Sequence, residues 1–271
     1  MSIHKEYTKV TVPALKEMKT NGEKITSLTA YDYTTAKLLD QAGIDIILVG
    51  DSLSMVFAGE ESTIPATMDQ MIYHTTIVSK AVSRAMVVGD MPFMSYQGST
   101  DKAIENAGRF LKESRANAVK IEGGKRNISL IEKLVGMGIP VMGHLGLTPQ
   151  SIEQFGSYKL KAKENEEAEQ LKEDAMALQD AGCFSIVLEK IPSDLAKHVS
   201  ESIDIPTIGI GAGVDCDGQV LVTNDMLGLF DEFKPKFVRR YNSLAEQMRE
   251  NFKSYVADVK SSEFPNTKES F

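Results

Sequence analysis

The chain has 271 residues, of which 42% are hydrophobic and 25% charged, and its formal net charge at pH 7 is -8. This composition is typical of a globular protein with a sizeable core, and the negative charge argues against a surface that binds the phosphate backbone of nucleic acids. No apolar run reaches the length of a membrane span, and the first residues lack the charged-then-apolar order of a secretory signal, so we expect a cytoplasmic protein that binds neither membranes nor nucleic acids.

Short apolar runs alternate along the chain with longer segments of helical periodicity. The short runs are rich in β-branched residues, as is typical of parallel strands buried on both faces. They predict strands at residues 25–30, 44–49, 86–90, 118–122, 140–144, 184–189, 205–210 and 219–222. Helical spacing and capping signals predict helices at residues 11–18, 31–43, 67–84, 100–115, 127–137, 161–180, 192–202 and 242–259.

This order of elements predicts an α/β fold, specifically a (β/α)8 TIM barrel, rather than an open doubly wound sheet. Eight strands with helices between most of them match the barrel, which uses about 250 residues as one domain. The composition does not change along the chain. We therefore predict one barrel domain over residues 1–271, with a short N-terminal helix and a C-terminal helix and tail.

Five of the predicted strands end in an ionisable side chain or are followed at once by one. These residues are Asp51, Asp90, Glu122, His144 and Glu189. Lys120 precedes Glu122 by two positions and so lies on the same face of its strand. In a barrel, all six side chains converge at the mouth formed by the carboxyl ends of the strands. Any one of them alone could equally be a cap or a satisfied hydrogen-bonding group.

Several carboxylates in one mouth repel each other unless a cation neutralises them. Oxygen ligands from Asp51, Asp90 and Glu122 suit Mg2+, whereas a single histidine argues against zinc. Such an ion could chelate a 2-oxo acid and polarise its carbonyl group, with Lys120 pairing with the negative charge of the substrate. Glu189 is the best candidate for a general base, although an ion pair with Lys190 is an equally good interpretation.

The motifs at these strand ends resemble, in the same order, those of the ketopantoate hydroxymethyltransferase family. They are VGDSL at 49–53, GDMPF at 89–93, VKIEGG at 119–124, GHLGLTPQ at 143–150 and GIGAG at 209–213. Residues 67–74 and 216–222 also match, so the resemblance covers about residues 24–238. The ordered set is specific, whereas no single motif would be.

The resemblance implies a (β/α)8 barrel assembled as a homo-decamer. It also implies transfer of a hydroxymethyl group from 5,10-methylenetetrahydrofolate to 3-methyl-2-oxobutanoate, which gives ketopantoate for pantothenate and coenzyme A synthesis. Carried over residue by residue, it implies Mg2+ ligands at Asp51 and Asp90 and a third acidic metal-site residue at Glu122. The oxo acid is expected at Asp51, Ser52, Asp90 and Lys120, the proton acceptor at Glu189, and an auxiliary residue at His144.

Two other functions remain open at this point. One is a related Mg2+-dependent lyase or mutase barrel acting on a 2-oxo acid, although such enzymes usually carry a catalytic cysteine loop that this sequence lacks. The other is a non-catalytic barrel that only binds an oxo acid.

Overall fold

The computed structural model describes residues 8–231 and 234–271. Within these residues, eight parallel strands form a closed barrel in chain order, and the first strand pairs with the eighth. The strands are β1 (Ile25–Thr29), β2 (Ile46–Val49), β3 (Met86–Asp90), β4 (Ala118–Glu122), β5 (Val141–Gly146), β6 (Ser185–Glu189), β7 (Thr207–Ile210) and β8 (Gly218–Leu221). The predicted (β/α)8 barrel is confirmed. The interpretation of the first residues as lacking a signal falls on residues 1–7, which lie outside the described residues.

All of the predicted helices are present in the described part of the chain. The helices are α1 (Val12–Thr20), α2 (Tyr33–Ala42), α3 (Leu53–Val56), α4 (Met68–Ala81), α5 (Thr100–Lys112), α6 (Ile128–Gly136), α7 (Ile152–Phe155), α8 (Asn165–Asp180), α9 (Ser193–Ser202), α10 (Thr223–Met226) and α11 (Leu244–Ser261). The one-turn helices α3, α7 and α10 are not among the predictions, because a single turn is too short to show periodicity. None of the helices in residues 8–231 and 234–271 is long and apolar enough to cross a membrane.

Helix α8 begins four residues later than its sequence pattern predicts. Ala162 has a φ of 52°, a left-handed conformation that interrupts a right-handed helix. The backbone N–H of Lys161 donates instead to the carbonyl oxygen of Lys190, at 2.9 Å. The predicted start at residue 161 is therefore wrong, and residues 161–164 form an irregular segment before Asn165.

Contacts between Cα atoms divide the chain into two compact units, Met1–Leu221 and Val222–Phe271. The first contains the whole barrel, and the second contains α10 and α11. Several large apolar side chains of α11 are exposed at helical spacing, namely Met248, Phe252, Tyr255, Val256 and Val259. That the chain forms a single domain stays a prediction.

Side chains alternate between the two faces of each strand, and those that point into the barrel are apolar along the strands and charged at the carboxyl ends. Side chains at every second position form one buried cluster that includes Val88, Ala118, Met142 and Val187. Two positions further along the same strands lie Asp90, Lys120, His144 and Glu189. Because strand side chains point to opposite faces in turn, these four continue the interior column at its carboxyl end.

On its outer face, β3 packs closely against α5. A Cβ atom added at Gly89 would lie 2.5 and 2.6 Å from two ring carbons of Phe110, which is fully buried. Only glycine allows this close approach, which fixes the strand next to Asp90.

We expect the substitution Gly89→Ala to lower the free energy of unfolding by about 1–3 kcal/mol, since the new methyl group would overpack the Phe110 ring. Gly108→Ala on α5 is the matched control, because a Cβ added there meets no atom within 4 Å. Alanine in a helix should leave stability unchanged or raise it by up to about 1 kcal/mol. Urea unfolding measures both variants, and equal stability of Gly89→Ala and the parent would contradict the packing argument.

Candidate active site

The structure brings together at one barrel mouth every ionisable residue that the sequence places at a strand end. Strand register sets their heights. It pairs Asp90 with Lys120, Glu122 with His144, and Gly146 with Glu189. All of these side chains except Glu189 are almost completely buried, and the Glu189 side chain is 15% exposed.

The Lys120 ammonium group lies at the centre of a continuous run of charged groups. Its Nζ is 3.1 Å from Asp90 Oδ1, 3.2 Å from His144 Nδ1 and 3.9 Å from Glu122 Oε1. On the other side of the imidazole ring, His144 Nε2 is 3.3 Å from Glu189 Oε2. The mouth is therefore one coupled electrostatic unit that extends from Asp90 to Glu189.

Burial and mutual repulsion give these groups different proton affinities. Burial alone would lower the pKa of Lys120, but the surrounding carboxylates, Asp90 first, outweigh it and raise the pKa above its usual value. Burial, reinforced by the charges of Asp90 and Glu122, raises the pKa of Asp51 well above its usual range. Burial also raises the pKa of Asp90, although Lys120 opposes the shift. Lys120 therefore stays cationic, and Asp51 is a carboxyl group that retains a proton readily.

His144 connects two carboxylates across its ring. Burial and the Lys120 charge both lower the pKa of His144, but its contacts with Glu122 and Glu189 outweigh them, and the pKa is raised. In the case of Glu122, burial would raise the pKa, yet His144 and Lys120 together lower it. Because Nδ1 faces the Lys120 ammonium, we assign a proton to Nε2, where it points at Glu189.

Asp51 and Ser52 reach the mouth through a tight turn after β2. The backbone N–H of Asp51 donates to Asp90 Oδ2 at 3.2 Å, which holds the two carboxyl groups side by side. The Ser52 hydroxyl folds back and lies 2.9 Å from the hydroxyl group of Tyr31. A Cβ atom at Gly50 would lie 2.6 Å from Ser52 Oγ, so a larger residue there would displace the Ser52 hydroxyl group.

Gln150 is a central residue of the site to which the sequence assigned no role. Its Nε2 donates to Asp51 Oδ2 at 2.8 Å and to the carbonyl oxygen of Met91 at 2.9 Å. Its Oε1 accepts a hydrogen bond from the Tyr96 hydroxyl at 2.8 Å. Its backbone N–H donates to Glu122 Oε2 at 3.0 Å. Partners at both ends of the amide fix its orientation, so Gln150 holds two of the carboxylates in place.

Tyr96 is the second residue that sequence reasoning missed. It is buried on the loop after β3, and its hydroxyl group also accepts from the backbone N–H of Glu122 at 3.1 Å. Burial raises the pKa of Tyr96 well above its usual value, so its hydroxyl group remains protonated. The position of Gln150 just after the histidine strand, inside a quoted motif, was the one available signal for this network.

The donor set of the mouth suits a hard divalent cation. Asp90 Oδ1 and Glu122 Oε1 are buried and accept no hydrogen bond, although both lie near Lys120. Across residues 8–231 and 234–271, no three His, Cys, Asp or Glu side chains are arranged to hold a metal ion. Asp51 and Asp90, linked by the hydrogen bond from the Asp51 N–H to Asp90 Oδ2, offer carboxylate oxygens of the kind that Mg2+ binds, and Mg2+ usually completes its shell with water and substrate oxygens. Glu122 as a third metal-site residue stays a prediction.

Comparison with known proteins identifies a family. The family model described as ketopantoate hydroxymethyltransferase matches residues 9–267. A 3-methyl-2-oxobutanoate hydroxymethyltransferase of Flavobacterium johnsoniae is 59% identical over 98% of both chains. Two further proteins with the same name also match. The protein from Prosthecochloris aestuarii is 58% identical over 97% of this chain and 96% of the relative. The protein from Syntrophus aciditrophicus is 51% identical over 100% of both chains.

Solved structures with the same fold are more distant in sequence. A phosphonopyruvate hydrolase complex with oxalate and Mg2+ has a TM-score of 0.61 at 13% identity, covering 95% of this chain and 92% of that chain. A 2,3-dimethylmalate lyase of the PEP mutase/isocitrate lyase superfamily has a TM-score of 0.62 at 14% identity, with coverages of 92% and 85%. At such identities the likeness shows the fold alone.

We expect Gln150→Leu to lower the free energy of unfolding by about 1–3 kcal/mol, because Asp51 Oδ2 and the Met91 carbonyl oxygen lose the buried amide donor and the Tyr96 hydroxyl group loses its acceptor on Gln150. Gln154→Leu on the exposed face of α7 should change stability by no more than about 0.5 kcal/mol. Thermal and urea unfolding of both variants provide the measurement. Equal effects of the two substitutions would show that the Gln150 network contributes nothing beyond packing.

Proposed function

Because the chain belongs to the ketopantoate hydroxymethyltransferase family, we propose that it makes ketopantoate for pantothenate biosynthesis. In this reaction a hydroxymethyl group passes from 5,10-methylenetetrahydrofolate to 3-methyl-2-oxobutanoate. The observation that carries the proposal is the convergence of Asp51, Asp90, Lys120, His144 and Glu189 at one buried mouth. As a member of this family, the chain is a transferase enzyme.

In this proposal Asp51 and Asp90 would hold Mg2+, with Glu122 as the third acidic residue of the metal site. When bound, the ion would polarise the keto oxygen of the substrate and stabilise the negative charge that develops on it. The hydrogen bond from the Asp51 backbone N–H to Asp90 Oδ2, which keeps the two residues together in the mouth, supports this assignment. Gln150 contributes by occupying Asp51 Oδ2, which orients that carboxylate.

The oxo acid binds beside the same carboxylates. Lys120, cationic throughout the working pH range, supplies the positive charge that pairs with the substrate carboxylate. The Ser52 hydroxyl, tethered by Tyr31, offers a hydrogen bond at the same edge of the mouth. Asp51, Ser52, Asp90 and Lys120 together thus form the proposed substrate site.

Glu189 is the proposed proton acceptor. It is the least buried of the mouth carboxylates, so it can meet a substrate that enters from solvent. Its carboxylate takes the proton from C3, and the electron pair of the C–H bond moves into the enolate. C3 bonds to the methylene carbon of the folate, both bonds from that carbon to folate nitrogens break, and water supplies the oxygen of the new hydroxyl group. The two water protons and the proton held by Glu189 end on the hydroxyl oxygen and on the two nitrogens of the departing tetrahydrofolate. His144, 3.3 Å away, keeps the Glu189 carboxylate in position.

Two broader features belong to the same proposal. We expect a homo-oligomer, specifically a decamer, and the exposed apolar side chains along α11 are consistent with a contact surface. Cytoplasmic localisation remains a prediction that follows from the biosynthetic role of the family.

Deuterium exchange tests Glu189 as the base. We expect the protein to exchange the C3 proton of 3-methyl-2-oxobutanoate for deuterium in D2O when Mg2+ is present, before any folate is added. Glu189→Gln should slow this exchange by at least about 100-fold, the usual contribution of a positioned base, with unchanged Mg2+ affinity. Glu132→Gln, on the exposed side of α6, is the matched control.

The same experiment separates the rival functions. A binding protein without catalysis would exchange no proton under any condition, and a lyase would release cleavage products without folate. Exchange by Glu189→Gln at the parental rate would show that another group is the base.

The affinity for Mg2+ should depend on pH. Because burial raises the pKa of Asp51, the metal-free protein keeps a proton there at pH values at which an ordinary aspartate is ionised. Mg2+ binding must expel that proton, so the apparent affinity should rise with pH, by up to about tenfold per unit for one proton. Calorimetry in two buffers of different ionisation enthalpy counts the released protons, with Glu132→Gln again as control. Affinity that is independent of pH would contradict metal binding through Asp51.

A further inference from the structure

A cavity of about 740 Å³ lies beside the mouth and is not part of the charge network. Its walls come from the carboxyl ends of β4 and β5, from α7, and from the first half of α8 with the irregular segment 161–164. We call it the side cavity. None of the ionisable mouth residues lines it, so it is a separate space with its own chemistry.

The side cavity borders the backbone of the strand that carries the proposed base. Gly146, one of its lining residues, pairs in register with Glu189, and a Cβ atom added there would collide with the Glu189 carbonyl oxygen. Gly123, another lining residue, directly follows Glu122 and donates its N–H to the carbonyl oxygen of His144 at 2.9 Å. The wall of the side cavity therefore includes backbone that adjoins Glu122 in the chain and borders the strands that carry His144 and Glu189.

The lining offers both cationic and anionic groups that the protein itself leaves unpaired. Within the described residues, neither Arg126 nor Lys161 takes part in an ion pair, and the Lys161 ammonium lies 3.5 Å from the centre of the Phe155 ring. Glu166 and Glu167, in the first turn of α8, line another part of the wall. By contrast, Lys125 is already paired with Glu173.

We infer that the side cavity binds the folate co-substrate, an inference that rests on the proposed function. A folate has a pterin ring rich in N–H donors, an aromatic linker and an anionic glutamate. The carboxylates of α8 suit the N–H donors, the Phe155 face suits the aromatic part, and Arg126 and Lys161 suit the glutamate. The volume is within the range of sites that enclose small ligands.

The test uses the full chain and a matched pair of ligands. Tetrahydrofolate lacks the transferable carbon, and tetrahydropteroate lacks the glutamate as well. The parent should bind tetrahydrofolate at least about tenfold more tightly than tetrahydropteroate, whereas the double variant Arg126→Ala/Lys161→Ala should bind both equally weakly. The KM for 5,10-methylenetetrahydrofolate should rise by a similar factor in the double variant.

Two readouts show that the variant is intact. The Mg2+-dependent exchange at C3, which needs no folate, and the KM for the oxo acid should both remain at parental values. Lys172→Ala, which removes a positive charge from α8 at a side chain paired with Glu169 and outside the side cavity, should behave as the parent.

The outcomes are distinguishable. If the double variant keeps the parental preference for tetrahydrofolate while the parent makes ketopantoate, the side cavity is not the folate site and the proposed function stands. If the parent exchanges the C3 proton but forms no product with the folate donor, the proposed function fails, and the inference fails with it.

Discussion

A buried ammonium group holds the mouth of this barrel together. Lys120 lies among Asp90, Glu122 and Asp51, and without a cation these carboxylates could not all remain ionised away from water. Burial raises the pKa of Asp51, and the charges of Asp90 and Glu122 raise it further, because one ammonium group does not offset three buried carboxylates. The proposed Mg2+ ion would correct the remaining imbalance of charge.

Parallel strand register explains why so much of this was predictable. Every strand of the barrel ends at the same rim, and every second side chain points inwards. A charged residue in the inward-pointing series at the end of an apolar run therefore lies in the mouth. Asp90, Lys120, Glu122 and His144 follow from this rule without any knowledge of their partners. Family resemblance then added what the rule cannot supply, such as the role of Ser52.

Loop-borne contacts lay beyond that rule. Gln150 reaches Asp51 across 99 positions of sequence, and Tyr96 reaches Gln150 across 54, through loops whose conformation no periodicity encodes. The predicted start of α8 is wrong for a related reason. Residues 161–164 have helical composition, yet Ala162 adopts a left-handed conformation while the Lys161 N–H bonds to Lys190. Tertiary contacts there override local propensity.

The late start of α8 has an evolutionary consequence. The interior column of side chains is locked by strand pairing, where a slip of one residue would turn every side chain to the other face. Residues 161–164 carry no such restriction, since they belong to no strand and the hydrogen bond from the Lys161 N–H to the Lys190 carbonyl oxygen involves backbone atoms only. Mutation can therefore reshape the wall beside the mouth without disturbing the charged centre, so one barrel can keep its reactive groups while the neighbouring pocket diverges among descendants.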